Sequence, residues 1–204
     1  MYKVLKTKTF CDTIDVWETE CILSCDKARN DVFKPQAIDS KNYRQWVSMR
    51  DPKTCLLCEY MHGRIYTGTE PINERPPGHP ACRCELLPLG AVFAGQATND
   101  GEQGADWYLK NIGSLPSYYI SGKRLTALGW RKGDKPAKYA PGKMFGGEIY
   151  RNENGKLPQK AGRVWYEADI NYYEGVRNGH RILWSNDGLI FVTYNHYKSF
   201  YEII

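Results

Sequence analysis

Apolar and polar positions follow different rhythms in different parts of this chain. From Thr9 to about Phe33 the residues Phe10, Ile14, Trp17, Cys21 and Cys25 recur at helical spacing with charged residues between them, which predicts one long amphipathic helix. Pro35 and the polar stretch to Asn42 end it. Residues 90–104, GAVFAGQATNDGEQG, are small and polar with four glycines and read as a linker. Beyond it Ala105–Ile112 predicts a short helix carrying Trp107, Tyr108 and Leu109. A second helix is predicted near Ser121–Leu128, with Ser121 as N-cap and Gly129 as its stop. From Gly146 the rhythm becomes that of strands. GEIY, RVWYEADI, HRILWS, LIFVTY and SFYEII are rich in aromatic and β-branched residues, with turn signals such as Asn154-Gly155, Asn178-Gly179 and Asn186-Asp187-Gly188 between them. Helices followed by a meander of strands define an α+β class, with an antiparallel sheet packed against the helices.

Composition divides the 204 residues further. The hydrophobic share of 42% is ample for a core, and there is no apolar run long enough for a membrane span. The opening MYKVLKTKTFCDTIDVW shows no apolar signal-peptide core, so export would need another route. The net charge of +5 gives a weak preference for polyanions. The excess sits in residues 96–204, with 15 Lys+Arg against 11 Asp+Glu, whereas residues 1–95 hold 13 against 12. All seven cysteines lie before residue 85, which suggests two units stabilised in different ways.

Cys11, Cys21 and Cys25 read as small buried residues on or beside the helix stripe. The second cysteine group has metal-ligand spacing: C-x2-C at Cys55 and Cys58, a loop of about twenty residues, then H-x2-C-x-C at His79, Cys82 and Cys84. A C-x2-C turn places two thiolates on one side of a tetrahedral ion and a second knuckle supplies the rest. Cys55, Cys58 and His79 with either Cys82 or Cys84 would satisfy a structural zinc; paired disulfides or reduced thiols are the alternatives. His62 reads as a surface turn residue.

Chemistry concentrates between Glu167 and Tyr197. A Glu at a strand end is suited to general-base work, and a His on a turn about thirty residues later to the matching acid. Arg177 and Arg181 between them imply a substrate with negative charge, best met by a phosphate.

Residues 105–204 resemble the barnase-like microbial ribonucleases. The shared runs are LP-x-x-YI at Leu115–Ile120, ALGW at Ala127–Trp130, APGK at Ala140–Lys143, the pair Gly146-Gly147, GKLP at Gly155–Pro158, GR-x-W-x-EADINY at Gly162–Tyr172, RN-x-x-RIL at Arg177–Leu183, and HY at His196-Tyr197. Residues of about 10–90 resemble the phage head-morphogenesis proteins, the Mu protein F-like minor head proteins. That resemblance rests on Trp46, Asp51, Cys55 and Cys58, on the HGRIY turn, and on PPGHPACRCELLP around His79–Pro88. The organisation these imply is a small helix-rich Cys/His module over 1–90, a linker over 91–104 and a barnase-like domain over 105–204.

The ribonuclease resemblance implies metal-free endonucleolytic cleavage of single-stranded RNA through a 2′,3′-cyclic phosphate, with zinc confined to a structural role in the module. By motif Glu167 is the base, His196 the acid, and Arg177 and Arg181 hold the scissile phosphate. Asp169 organises the arginines and Tyr197 stands beside the histidine. The family's base-recognition loop matches Arg151-Asn152-Glu153-Asn154, with Glu153 and Asn154 departing from the usual residues, so guanine preference is open. Glu148 matches an acidic residue near the phosphate site, and Arg163 with Asp187 matches a structural ion pair. The family's catalytic lysine aligns with Gly122; Lys123 follows it and is the candidate substitute. The two resemblances together suggest a phage-associated or polymorphic toxin with a barstar-like inhibitor, no membrane partner, and delivery by a non-classical or phage-related route. The competing readings are a capsid-associated nucleic-acid-binding protein with an inactive nuclease fold, and a zinc-dependent nuclease centred on the cysteines.

Overall fold

A single mixed sheet of nine strands is the frame of the protein in the computed structural model, which describes residues 35–68, 75–172 and 177–204. The helix predicted over Thr9–Phe33, with Cys11, Cys21 and Cys25, lies outside those residues. The strands are β1 (Ile38–Val47), β2 (Ile65–Thr67), β3 (Glu85–Val92), β4 (Tyr119–Ile120), β5 (Met144–Tyr150), β6 (Trp165–Asp169), β7 (Arg181–Ser185), β8 (Ile190–Thr193) and β9 (Tyr201–Ile203). They lie side by side in the order β2-β1-β3-β9-β8-β7-β6-β5-β4. Among the described residues three short α-helices accompany them: α1 (Leu56–Met61), α2 (Ala105–Asn111) and α3 (Gly122–Ala127). Among the described residues no helix is long and apolar enough to cross a membrane.

The five strand segments read from the second half all form, as β5 to β9, and they pair antiparallel in sequence order. The sheet is nevertheless mixed. β4 pairs parallel with β5 after the α3 crossover, and β3 pairs parallel with β9, the last strand of the chain. The first module needs a correction: expected to be helix-rich, it contributes three strands and one six-residue helix to the described residues. In β1 the buried positions are Ser40, Tyr43 and Trp46, three apart: the register shifts between Asp39 and Arg44, and in the regular stretch beyond it Tyr43 and Trp46 lie on opposite faces, both covered; that spacing hides the period of two by which a half-buried strand is recognised.

Through β3 the module continues the sheet of the second half of the chain. Val92 accepts from Ile204 N and Ala94 N donates to Ile204 O, at 3.0 and 2.8 Å, extending the parallel pairing past the strand ends. Buried Glu202 of β9 accepts from Ser40 Oγ and, at 3.0 Å, from Asn42 Nδ2 of β1. Of residues 91–104, read as linker, the first two end β3, and the stretch after them is held down by the fully buried Asp106 of α2, whose carboxylate accepts from Gly95 N, Ala97 N and Thr98 Oγ1 at 2.7 to 2.9 Å. These bonds satisfy a carboxylate that burial would otherwise penalise.

Two cores lie on the sheet. In one, Ala105 and Leu109 of α2 pack on Ala168, Ile182, Val192 and Ile203. In the other, Tyr43, Ile65 and Leu89 of the module interleave with Leu157, Trp165, Leu183, Phe191 and Phe200 of the second half. The paired glycines of β5 have separate reasons. A Cβ on Gly146 would overlap Ala168 and Tyr119, while Gly147, at φ +90°, is the extra residue of a β-bulge between Gly146 and Glu148.

Candidate active site

The register of β5 to β8 gathers the residues singled out in the sequence. Glu167 of β6 stands opposite Glu148 of β5 and Leu183 of β7, and Asp169 stands opposite Arg181, which in turn faces Thr193 of β8. Three residues past Thr193, His196 and Tyr197 occupy successive left-handed positions at φ +54° and +63°. That conformation is costly for side-chain-bearing residues and persists only where the surroundings enforce it. Asn195 is the enforcing residue: its Oδ1 accepts from Thr193 Oγ1, Lys198 N and Ser199 N, and its Nδ2 donates to Ser199 Oγ at 2.8 Å. Thr193 Oγ1 accepts from Tyr197 N, and Gly179 O accepts from His196 N at 3.0 Å. The imidazole is thereby left exposed on a fixed turn.

Tyr197 joins the two halves of this arrangement. Its hydroxyl donates to Glu167 Oε2 at 2.6 Å, its ring lies 4.8 Å from the His196 ring, and it stacks on Tyr150 at 5.2 Å. Burial pushes the Tyr197 phenol well up from its ordinary pKa, and the Glu167 hydrogen bond acts the same way, so it stays a donor.

Beside Glu167 sits a cationic clamp. Asp169 is fully buried and takes Nε and Nη2 of Arg177 at 2.6 and 2.7 Å and Nε of Arg181 at 2.9 Å. Arg181 also donates through Nη1 to the carbonyls of Asn178 and His180, at 2.7 and 2.6 Å. The Arg177 guanidinium lies 4.4 Å above the Phe145 ring. Burial works against its charge, but the bonds to Asp169 outweigh it and raise its pKa. Two guanidinium groups share one carboxylate, so the clamp keeps a net positive charge that can meet an anion.

The other candidates fall around this centre. Glu148 Oε1 accepts from Gly122 N at 2.5 Å, and a Cβ on Gly122 would stand 3.0 Å from that oxygen. Lys123 is exposed on the first turn of α3, which Ser121 caps through Arg124 N. In the loop after β5, Asn152 is buried at φ +49°, and its side chain exchanges hydrogen bonds with the backbone of Leu157, at 2.9 and 3.1 Å. Asn152 therefore shapes the loop rather than projecting from it. Arg151 and Glu153 are exposed and paired with each other at 3.5 Å, and Asn154 Oδ1 accepts from Lys156 N. A cavity of about 560 Å3 opens beside the loop, walled by Ile149, Tyr150, Arg151, Asn152, Gln159 and Lys160 among others. Arg163 binds Asp187 through Nε and Nη2 at 2.9 to 3.0 Å, apart from the Glu167 centre.

Sequence reasoning missed Tyr150, Phe145 and Asn195. Asn195 carried a usable signal, an Asn opening a polar turn. Tyr150 and Phe145 carried none, because their roles come from the bulge and from the stacking partners the sheet brings to them.

The Cys/His cluster forms a separate centre. Cys55 caps α1, and its sulfur lies 3.1 Å from His79 Nε2; Cys58 Sγ lies 3.2 Å from the same nitrogen and 3.6 Å from Cys82 Sγ. Cys58 also groups with Cys82 and Cys84, all within 4.8 Å of one another. Donors about 2.0 to 2.3 Å from a tetrahedral ion stand somewhat under 4 Å apart, which these separations match. His79 Nδ1 lies 2.7 Å from the Pro80 carbonyl, a hydrogen bond that turns the Nε2 lone pair toward the thiols. A small open cavity of about 20 Å3 is lined by all five of these side chains together with others such as Lys53, Thr54 and Arg83, and is large enough for one ion. His62 caps α1 and takes a hydrogen bond at Nδ1 from Ser48 N, 3.1 Å away.

An α+β protein whose sheet carries a carboxylate, an exposed histidine and an arginine clamp has the groups for acid–base chemistry on an anionic substrate. The ribonuclease family model matches residues 102–204, half of the chain, and the Phage Mu protein F like protein model matches residues 14–87. A ribonuclease of Heyndrickxia coagulans is 46% identical over 98 residues, which make up 47% of this chain and 89% of that protein. Ribonucleases of Bacillus intermedius and Bacillus pumilus are also 46% identical over 98 residues, and there the chain spans 60% of each protein's length. The chain belongs to the ribonuclease family, with a Mu F-like region before it. That membership supports an RNA endonuclease.

Proposed function

We propose that the protein cleaves single-stranded RNA by metal-free transphosphorylation. Glu167 takes the proton of the ribose 2′-OH, whose oxygen attacks phosphorus. The bond from phosphorus to the 5′-oxygen breaks, and His196 gives its proton to the departing oxygen. The product is a 2′,3′-cyclic phosphate, which water then opens with the two roles exchanged. Arg177 and Arg181 stabilise charge on the phosphoryl oxygens. DNA lacks the 2′-OH and can only bind. The observation that carries this reading is the Tyr197 hydroxyl bond to Glu167, because it ties the base to the turn that presents His196.

The base 5′ to the cleaved bond lies against the loop of residues 151–157 and its adjoining cavity, with Arg151, Asn152 and Asn154 shaping the contact. Asn154 lacks the charge-assisted grip of a carboxylate, so guanine preference is weakened. Lys123 supports the phosphate from the first turn of α3, and Glu148 tunes the potential beside it. In the module Cys55, Cys58 and His79 with Cys82 or Cys84 hold a structural zinc, which contributes folding free energy and no chemistry. Cleavage of this kind suits a toxin, and a barstar-like inhibitor would meet the cationic rim with acidic side chains.

A defined single-stranded RNA assayed with and without EDTA tests the reading. Cleavage that survives the chelator and disappears in Glu167→Ala and His196→Ala is expected. A wild-type protein that binds RNA without cutting it would sink the enzyme and favour a capsid-associated nucleic-acid-binding role. Metal analysis of the reduced protein should return about one zinc per chain.

A further inference from the structure

We propose that the Mu F-like module is a positioning element of the nuclease site: its Gly63–Ile65 turn holds the base-side loop and, through Lys156, the turn that carries His196. The inference rests on the ribonuclease reading and goes beyond it, because nothing in the acid–base chemistry requires the module.

The turn is anchored on its own side. Trp46 N donates to Arg64 O at 2.9 Å, Gly63 N donates to Trp46 O at 2.8 Å, and Trp46 is almost wholly buried. From that anchor Ile65 N donates to Lys156 O at 2.7 Å. Lys156 Nζ then donates to Lys198 O at 3.4 Å, two residues past His196. A Cβ on Gly63 would stand 3.6 Å from Lys156 Nζ and 3.7 Å from Lys198 O, so the turn's backbone lies against both at once. Gly63, at φ +80°, allows this approach. On the loop side, a Cβ on Gly155 would stand 3.6 Å from an Arg64 guanidinium nitrogen.

Buried side chains make the same connection. Ile65, 2% exposed, shares a core with Leu157, the residue whose backbone closes the loop onto Asn152, and with Phe191 and Phe200. Tyr150 and Tyr197, stacked beside Glu167, pack against that core. Close-packed interiors transmit displacement, so a shift of Ile65 reaches the loop, the tyrosine pair and the turn after β8. Ile65 and Lys156 are therefore positioning residues, and neither touches the reacting atoms.

The test uses the full-length protein with Lys156→Met and Ile65→Val, the second losing one methyl so that the fold survives. Two readouts are taken: kcat and KM on short RNAs that differ in the base 5′ to the cleaved bond, and hydrogen exchange of the Arg151–Leu157 amides. For Lys156→Met, positioning predicts KM raised about 3- to 10-fold through the loop, the effect of one lost hydrogen bond, and a fall in kcat through the turn that carries His196; Ile65→Val acts in the same direction and more weakly. It also predicts a narrowed ratio between bases and faster exchange in the loop and in the turn of residues 195–199, whose amides are followed in the same experiment. Unchanged exchange, or KM and base ratio both at the wild-type value, would overturn it. A wild type that fails to cut RNA removes the ribonuclease reading alone, because loop exchange still decides whether the module holds the loop.

Discussion

Asp169 carries the sharpest prediction. Its carboxylate is fully buried and is the shared counter-ion of Arg177 and Arg181, whose side chains are 29% and 7% exposed. Asp169→Asn preserves volume but removes the charge, and it turns an amide N–H2 toward guanidinium donors that need acceptors. Breaking a buried ion pair by neutralising one partner costs about 3 to 5 kcal/mol, since the other charge is left desolvated. Arg177 can recover some hydration, which points to the lower end of that range. Arg181 cannot, because its Nε loses Asp169 while Nη1 stays committed to Asn178 O and His180 O. The variant should lose about 3 kcal/mol in urea unfolding and melt roughly 6 to 12 °C lower. Under conditions where it is folded, kcat/KM should fall by at least about 10-fold as the clamp splays. A variant within about 1 kcal/mol of wild type would refute the claim that one carboxylate orders both arginines.

Three further outcomes can be checked together. Tyr197→Phe deletes the 2.6 Å donor to Glu167 and should lower kcat/KM about 10-fold, as expected for a hydrogen bond to a charged group; an unchanged value refutes the coupling of Glu167 to the His196 turn. The Arg163 guanidinium holds the Asp187 carboxyl at about 2, below the ordinary 3.8, so the pair stabilises the fold above the unfolded carboxyl range and is lost as pH falls through about 2. The urea-midpoint gap between wild type and Asp187→Asn should therefore be full at pH 5 to 7 and close between about pH 4 and 2; a gap independent of pH would count against it. Cys58→Ser, at the residue common to both ligand groups, should lower the melting temperature and zinc content while sparing the cleavage rate of folded protein, and a proportional loss of rate would revive a zinc-dependent nuclease.

The nuclease half was legible because its cues are local. Alternating aromatic and β-branched residues mark β5 to β9, Ser121 and Gly129 bracket α3, and Glu167, Arg177, Arg181 and His196 stand in ordered motifs. The module was misread because its cues are not. β1 buries every third residue across a register shift, and β2 is three residues long, so neither shows a period of two. The sheet's mixed character escaped for a different reason: the β3–β9 pairing joins residues more than a hundred positions apart, and periodicity carries no partner information. Within the site, side-chain identity foretold which groups carry charge, whereas their restraint by Asn195, Tyr150 and Phe145 depends on backbone geometry.

The shared core alters what a nuclease-only fragment could establish. Cutting the chain before Ala94 removes Tyr43, Ile65 and Leu89 from beneath Leu157 and Phe191, strips β9 of its parallel neighbour β3, and leaves buried Glu202 without Ser40 and Asn42. Each loss is a recognised route to instability: a cavity, an open sheet edge and an uncompensated buried carboxylate. An inactive fragment would thus be explained by a disordered loop and a shifted Tyr197, with no catalytic part played by the cysteines. Substitution at single cysteines of the Cys/His cluster in the full-length chain separates those causes, since it disturbs that knuckle while Ile65 stays in the core and its N–H stays on Lys156. The two family matches are separated near residues 87 to 102, and the packing that holds the loop of residues 151–157 runs straight across that boundary.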